Sequence, residues 1–367
     1  MTERIYTMLV INPGSTSTKI ALYKNENCLF EKSVFHDAPV LLAFPTVNDQ
    51  LPFRKQVILD IMAEQGFAME DVDVYVARGG SSYSVPGGTY RVSEKMVQDT
   101  REMRGGMEHP SILGVQLAKE FSDEYGGEIY TVDPPCLDEL CDLARMTGID
   151  GVYRRADLHA LNQKGMAREK ARELGKKYEE CNFIVGHLDG GITVGAHQKG
   201  RIVDCNDGAG GDGPYTPTRI GSVSVADLLE YCRGKDIDEV KKLCTRAGGF
   251  VSHFGTSDKK EVFRMVQSGD EKAKRVWDGM VYQICKQIGA MAAVLCGEVD
   301  GILLGGGLVH FPGLTDSIKE RCSFIAPVTV YYEEFEHKAL VEGTLRVLRG
   351  EEKAREYTGR PVWNGFE

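Results

Sequence analysis

Between Asn12 and Lys19 the chain reads Asn-Pro-Gly-Ser-Thr-Ser-Thr-Lys, a run of small and hydroxyl residues closed by a cation. A phosphate chain asks for hydrogen-bond donors without bulk, and such a turn supplies backbone N–H groups, hydroxyls and close approach together. Asn12, Gly14, Ser15, Ser17 and Lys19 are therefore candidate phosphate contacts, although the spacing is not that of a Walker A loop. One Gly/Ser turn is weak evidence, because such turns join strands in proteins of every kind. Two further glycine turns follow, Asp189-Gly-Gly191 and Gly305-Gly-Gly307. Both end apolar runs, the place where α/β folds bind ligands, and no structural need calls for three. Gly190, Gly191, Gly305, Gly306 and Gly307 thus join the candidates.

Strands must hold these turns. Tyr6 to Asn12 and Lys19 to Tyr23 are short apolar runs on either side of the first turn and predict a β-hairpin. The pattern returns at Asn182 to Leu188 and Ile192 to His197, with Arg201 to Asp204 beyond, so the chain reads as two related halves. Helical stretches such as Gly114 to Tyr125 alternate with strands such as Glu128 to Val132, which predicts α/β layers. From Asp270 to Cys296, apolar residues recur at Val276, Met280, Ile284, Ile288, Met291 and Leu295, behind a Ser268-x-x-Glu271 capping box. A long core-facing helix is expected there. Asp300 to Leu304 then forms a strand running into the third glycine turn, and a last helix covers His337 to Leu348.

At 367 residues the chain suits two domains. Its net charge of -10, with scattered Lys and Arg, predicts no nucleic-acid partner. Ten cysteines without a CxxC pair or a metal-ligand spacing read as reduced, mostly buried thiols. Met1-Thr-Glu-Arg runs straight into a strand, unlike a signal peptide, and the apolar stretch from Ile284 to Cys296 is interrupted by Lys286. It falls short of the roughly 18 residues of a membrane span. A soluble, cytoplasmic protein without a membrane partner is expected.

The order of two phosphate hairpins and a glycine turn for adenosine resembles the sugar kinase, Hsp70 and actin superfamily. Within it the match narrows. Asn12 to Lys19, Val76-Ala-Arg-Gly-Gly80, Pro86-Gly-Gly-Thr-Tyr90, His187-Leu-x-Gly-Gly191 and Gly213-Pro-Tyr-Thr-Pro217 are similar to the butyrate kinase branch of the acetate and butyrate kinase family. These segments span almost the whole chain. The resemblance implies an α/β fold of two duplicated ribonuclease-H-like (actin-like ATPase) domains with a central cleft. Residues 1–135 with 338–367 would bind acid and phosphate, and residues 136–337 would bind nucleotide. It implies transfer of the γ-phosphoryl of ATP to butanoate, giving butanoyl phosphate and ADP, with Mg2+, in at least a homodimer. A short-chain carboxylic acid is ionised at neutral pH, so no general base is needed. Anion–anion repulsion must be offset instead, for which guanidinium groups, imidazoles and Mg2+ are suited.

By the same resemblance Arg78 and Arg219 flank the transferring phosphoryl and the carboxylate, and His159 and His187 lie near the γ-phosphoryl. Asp133 would orient Mg2+ or the phosphoryl group, though an Asp before Pro134 also reads as a turn former. Either Glu334 or Glu336 would be the magnesium-associated glutamate. Two positions depart from the family pattern. Asp189 stands where glycine is usual, placing a negative charge beside the second turn, and Thr218 stands where glutamate is common before the arginine. The alternatives are a kinase for acetate, propanoate or 2-methylpropanoate, a sugar or other hydroxyl kinase, which would need a catalytic base, and an Hsp70-type nucleotide-dependent binding module.

Overall fold

In the computed structural model, residues 4–80, 82–106 and 108–366 are described. The first apolar run forms β1 (Thr7–Pro13), which turns through Gly14 to Thr16 into antiparallel β2 (Ser17–Lys24), and β3 (Asn27–Phe35) extends the meander. On the other side of β1 lie parallel β4 (Val74–Ala77), then β6 (Glu128–Val132), with β5 (Thr89–Arg91) antiparallel at the edge. The sheet order is β3-β2-β1-β4-β6-β5. The second sheet repeats the plan. β7 (Asn182–Leu188), β8 (Ile192–Gln198) and β9 (Arg201–Cys205) form the meander, and β10 (Gly301–Gly305) and β11 (Val328–Val330) follow β7 in parallel. Its order is β11-β10-β7-β8-β9. Strand for strand, with the same sequence of antiparallel and parallel pairs, the second sheet duplicates the first apart from β5.

Two compact units follow from these sheets, one of Met1–Asp138 with Phe335–Glu367 and one of Glu139–Glu334. In the first, Leu9, Ile11, Ile20 and Leu22 of the meander pack with Ile58, Ile61 and Met62 of the helix Leu51–Glu64 and with Leu113, Val115 and Leu117 of the helix Ile112–Tyr125. A Cβ on Gly114 would lie 2.3 Å from the Arg78 carbonyl, so glycine there lets the helix press against the end of β4. In the second, the long helix spans Glu271–Val294 and buries Val276, Met280, Ile284, Ile288 and Met291 against the sheet, the spacing expected of one helix face. Its cap differs from the expected Ser268-x-x-Glu271 box. Asp270 is the N-cap and accepts from the Ala273 N–H at 2.9 Å, while Ser268 ends the preceding helix, Lys259–Gln267, and its hydroxyl donates to the Met265 carbonyl. Gly269, at φ +88, makes the break between them. The last helix is Glu336–Leu348.

All ten cysteines are free thiols, but only Cys181, Cys205 and Cys322 are buried, which corrects the expectation of mostly buried thiols. Among the described residues no helix is long and apolar enough to cross a membrane.

Candidate active site

Parallel pairing of β1 with β4 sets Ile11 opposite Ala77, so the residues that follow, Asn12 still in β1 and Arg78 just past the end of β4, lie side by side. Asn12 is 3% exposed; its amide donates to Glu336 Oε2 at 2.9 Å and its Oδ1 accepts from Arg78 Nη1 at 3.3 Å. Arg78 Nη1 lies 3.6 Å from Glu336 Oε2. Three of the expected site residues thus converge, whereas Glu334 is exposed and belongs to the second unit. Lys19 faces Asn12 across the hairpin register. The Gly14 N–H is spent within the turn on the Ser17 carbonyl, at 2.8 Å. Asp133 is 1% exposed and holds a left-handed φ of +40, braced by Gly88, whose N–H donates to Asp133 Oδ1 at 2.8 Å. It therefore does serve the turn before Pro134, with a buried carboxylate at the end of β6.

Two residues of this unit carry no expectation from sequence. His109 Nδ1 accepts from the Ser111 N–H at 3.1 Å, so Nε2 carries the hydrogen and donates to Ser15 Oγ at 3.1 Å. Burial, then the charges of Arg78 and Arg54, push the imidazole down to about 4 against an opposing pull from Glu336, so it is neutral at physiological pH. Beneath the hairpin turn, Arg54 is fully buried, and its guanidinium donates to the carbonyls of Gly14 and Ser17, to Thr18 Oγ1 and to Gln50 Oε1. Every one of these acceptors is neutral, and burial pulls the group down to about 10. The turn is thus held from below by a cation that has no paired carboxylate among the described residues. One signal was legible: Arg54 occupies the core-facing stripe with Ile58, Ile61 and Met62, where a charge is costly unless it has work. Nothing local marks His109, which reaches Ser15 across 94 positions of sequence.

In the second unit His159 and His187 stack with ring centroids 4.0 Å apart. Thr193 Oγ1 accepts from Gln163 Nε2 at 2.8 Å and lies 2.9 Å from His159 Nδ1, within hydrogen-bond reach. The Asn162 side-chain amide lies 2.6 Å from His187 Nδ1 and hydrogen-bonds to it. Each ring is thus anchored through its Nδ1. The β7–β8 turn is tied to the segment Thr216 to Arg219: both Thr216 and Thr218 hydroxyls donate to the Gly190 carbonyl, at 2.6 and 3.1 Å. Arg219 follows with its guanidinium against Gly191, where a Cβ would come within 2.7 Å of Nη1, and it donates to the Gly208 carbonyl. Its Nε is buried with no acceptor among the described residues. Burial lowers the Arg219 guanidinium against the pull of Asp157 and Asp207, and burial with Asp207 raises Asp157.

Parallel pairing of β7 with β10, Gly305 opposite His187, repeats in this unit the arrangement of β1 and β4. It brings Gly305, Gly306 and Gly307 beside the β7–β8 turn. Gly306, at φ +97, sits where a Cβ would come within 2.6 Å of the Leu188 carbonyl, so only glycine fits. Asp189 pairs with Lys259 and accepts the Gly307 N–H at 3.1 Å. Burial would raise its carboxyl, but Lys259, and less so His187 and the Gly307 N–H, hold it below the usual range.

A family model described as the Acetokinase family matches residues 144–312. A probable butyrate kinase of Clostridium botulinum (strain Alaska E43 / Type E3) is 44% identical over 354 residues, covering 96% of this chain and 99% of its own. Butyrate kinase 2 of Clostridium acetobutylicum is 42% identical over the same span and coverage. Among solved structures, the acetate kinase of Porphyromonas gingivalis superposes with a TM-score of 0.76 at 17% identity, over 94% of this chain and all of that one. At that identity the superposition speaks for the fold, which is the duplicated actin-like one.

Proposed function

Because the chain belongs to the acetokinase family, we propose that it is an ATP-dependent short-chain carboxylate kinase, converting butanoate and ATP to butanoyl phosphate and ADP. The observation that carries this reading is Arg219: a buried guanidinium against a glycine turn, with one N–H lacking an acceptor among the described residues, calls for an anion. The stacked imidazoles of His159 and His187 in the same unit support it, and the relatives' names give the acceptor class. In the second unit Gly190 and Gly191 take the nucleotide phosphates, Gly305 to Gly307 the adenosine, and Arg219, His159 and His187 the charge on the transferring phosphoryl oxygens. In the first, Asn12, Gly14, Ser15, Ser17 and Lys19 form a phosphate turn with Arg54 beneath it, and Arg78 holds the acid's carboxylate as a guanidinium fork.

The acid needs no deprotonation, so the protein's contribution is position and charge, in line with a loose phosphoryl transfer. Glu336, with Asp133 as second carboxylate, is assigned to Mg2+, and Glu334 is not. The donor set fits: one or two carboxylates completed by phosphate oxygens and water is the usual magnesium arrangement. Bound there, the ion would screen phosphate charge. A cytoplasmic location is in keeping with ten free thiols. Assembly into at least a dimer is supported by the exposed Val225, Leu229, Tyr231 and Ile237 of the second unit, a surface of the kind a second copy covers. The test is ADP formation with butanoate and other short acids against hexoses; turnover with hexoses and none with acids would replace this reading by a hydroxyl kinase.

A further inference from the structure

We propose that Asp189 is an internal stand-in for a nucleotide phosphate, so that ATP enters its cradle only by displacing the chain's own carboxylate. The inference rests on the ATP-dependent reading above and adds a residue that sets nucleotide affinity. Three donors converge on this one carboxylate. Oδ1 accepts from the Gly190 N–H at 2.7 Å and from Lys259 Nζ, and Oδ2 accepts from the Gly307 N–H at 3.1 Å. Those N–H groups come from two separate glycine turns, which the parallel β7 and β10 bring together. Two backbone amides from glycines and one ammonium form the kind of nest that binds anions, and here an anion from the chain fills it. With glycine at position 189 the nest would stand open.

Access favours exchange. The Asp189 side chain is 35% exposed and that of Lys259 26%, so the carboxylate can swing to water and an incoming oxygen can reach the same donors. Lys259 is the first residue of its helix, and its long side chain can follow the new anion. A phosphate offers equivalent acceptors with more charge, so the hydrogen bonds are traded one for one and the charge decides. Asp189 thus weakens ATP binding relative to an open nest, while its pairing with Lys259 keeps the turn ordered in the free protein.

The experiment is calorimetric titration of magnesium-free ADP into the full-length protein and into Asp189→Gly, Asp189→Asn, Lys259→Met and the Asp189→Asn/Lys259→Met double variant. Adenosine serves as the phosphate-free control. Both Asp189 variants should bind ADP about three- to tenfold more tightly, the effect of one partly screened charge near a phosphate, with adenosine unchanged. Lys259→Met should weaken ADP by leaving a bare carboxylate, and the double variant should return towards the parent. Asp189→Asn keeps the side-chain shape and an acceptor, so it reports even if the glycine variant is unfolded. Equal or weaker ADP binding by a folded Asp189→Asn protein overturns the inference and makes the pair a brace. If the parent binds neither ADP nor adenosine, the ATP-dependent reading fails along with it.

Discussion

Acidification should unsettle the first unit through His109. Folded, the imidazole titrates at about 4, against an ordinary 6.5, because burial, Arg78 and Arg54 all oppose its charge while Glu336 alone favours it. Between those values the unfolded chain binds the proton and the folded one does not, so stability rises with pH across the window. The contribution is fully present above about pH 6.5 and is lost as the pH falls towards 4; over the whole window it amounts to at most about 3 kcal/mol, at about 1.4 kcal/mol per pH unit. Between pH 8 and pH 5 the loss is about 2 kcal/mol by the same linkage. His109→Gln keeps a donor towards Ser15 and removes the titration, so the difference between parent and variant isolates this group from every other carboxylate and histidine. Trp363 belongs to the first unit and the other tryptophan, Trp277, to the second. Urea unfolding followed by fluorescence in a Trp277→Phe background therefore reports on the first unit. The parent should lose its advantage over His109→Gln on going from pH 8 to pH 5. Parallel midpoints for the two proteins across that range would refute the neutral, cation-flanked histidine.

Other substitutions probe the proposed chemistry. A Cβ at Gly190 meets nothing within 4 Å, so Gly190→Val should fold normally yet lose ATP affinity while keeping adenosine; calorimetry showing unchanged ATP binding would make the turn a plain hairpin. Arg219→Lys keeps the charge but not the planar fork, and kcat should fall by roughly 10²-fold or more, as when a transition-state donor is removed. Near-parental turnover in a folded lysine variant would remove Arg219 from that role. Glu336→Gln should raise the Mg2+ concentration needed for half-maximal rate, and Glu334→Gln should leave it alone; the reverse result would reassign the ion.

The hairpins, the glycine turns and the long helix were legible in the sequence because each is fixed by neighbours within a dozen positions: alternating apolar runs around a Gly/Ser turn, or apolar residues three and four apart. The displaced cap shows the limit of local rules. Ser268 and Asp270 are both capping types two residues apart, and only the preceding helix, which uses Ser268 to end itself, decides between them. The convergence of Glu336 on Asn12 and Arg78 lay further out of reach. It depends on Asn12 meeting the start of the last helix across 324 positions, through a sheet that no local pattern encodes. Lys259 likewise becomes meaningful only once β7 and β10 stand side by side. Arg54 was half visible, as a charge in an apolar stripe, but the carbonyls it holds could not be named from the stripe.

The most direct test of the central claim is to trap the product. Protein, ATP, Mg2+ and hydroxylamine are incubated with straight and branched acids of two to six carbons, and the acyl hydroxamate is identified by mass. Butanoyl hydroxamate should form in step with ADP, with neighbouring acids overlapping because one methylene discriminates by only about 1–3 kcal/mol. ADP released without any acyl hydroxamate, from any acid in the set, would contradict it.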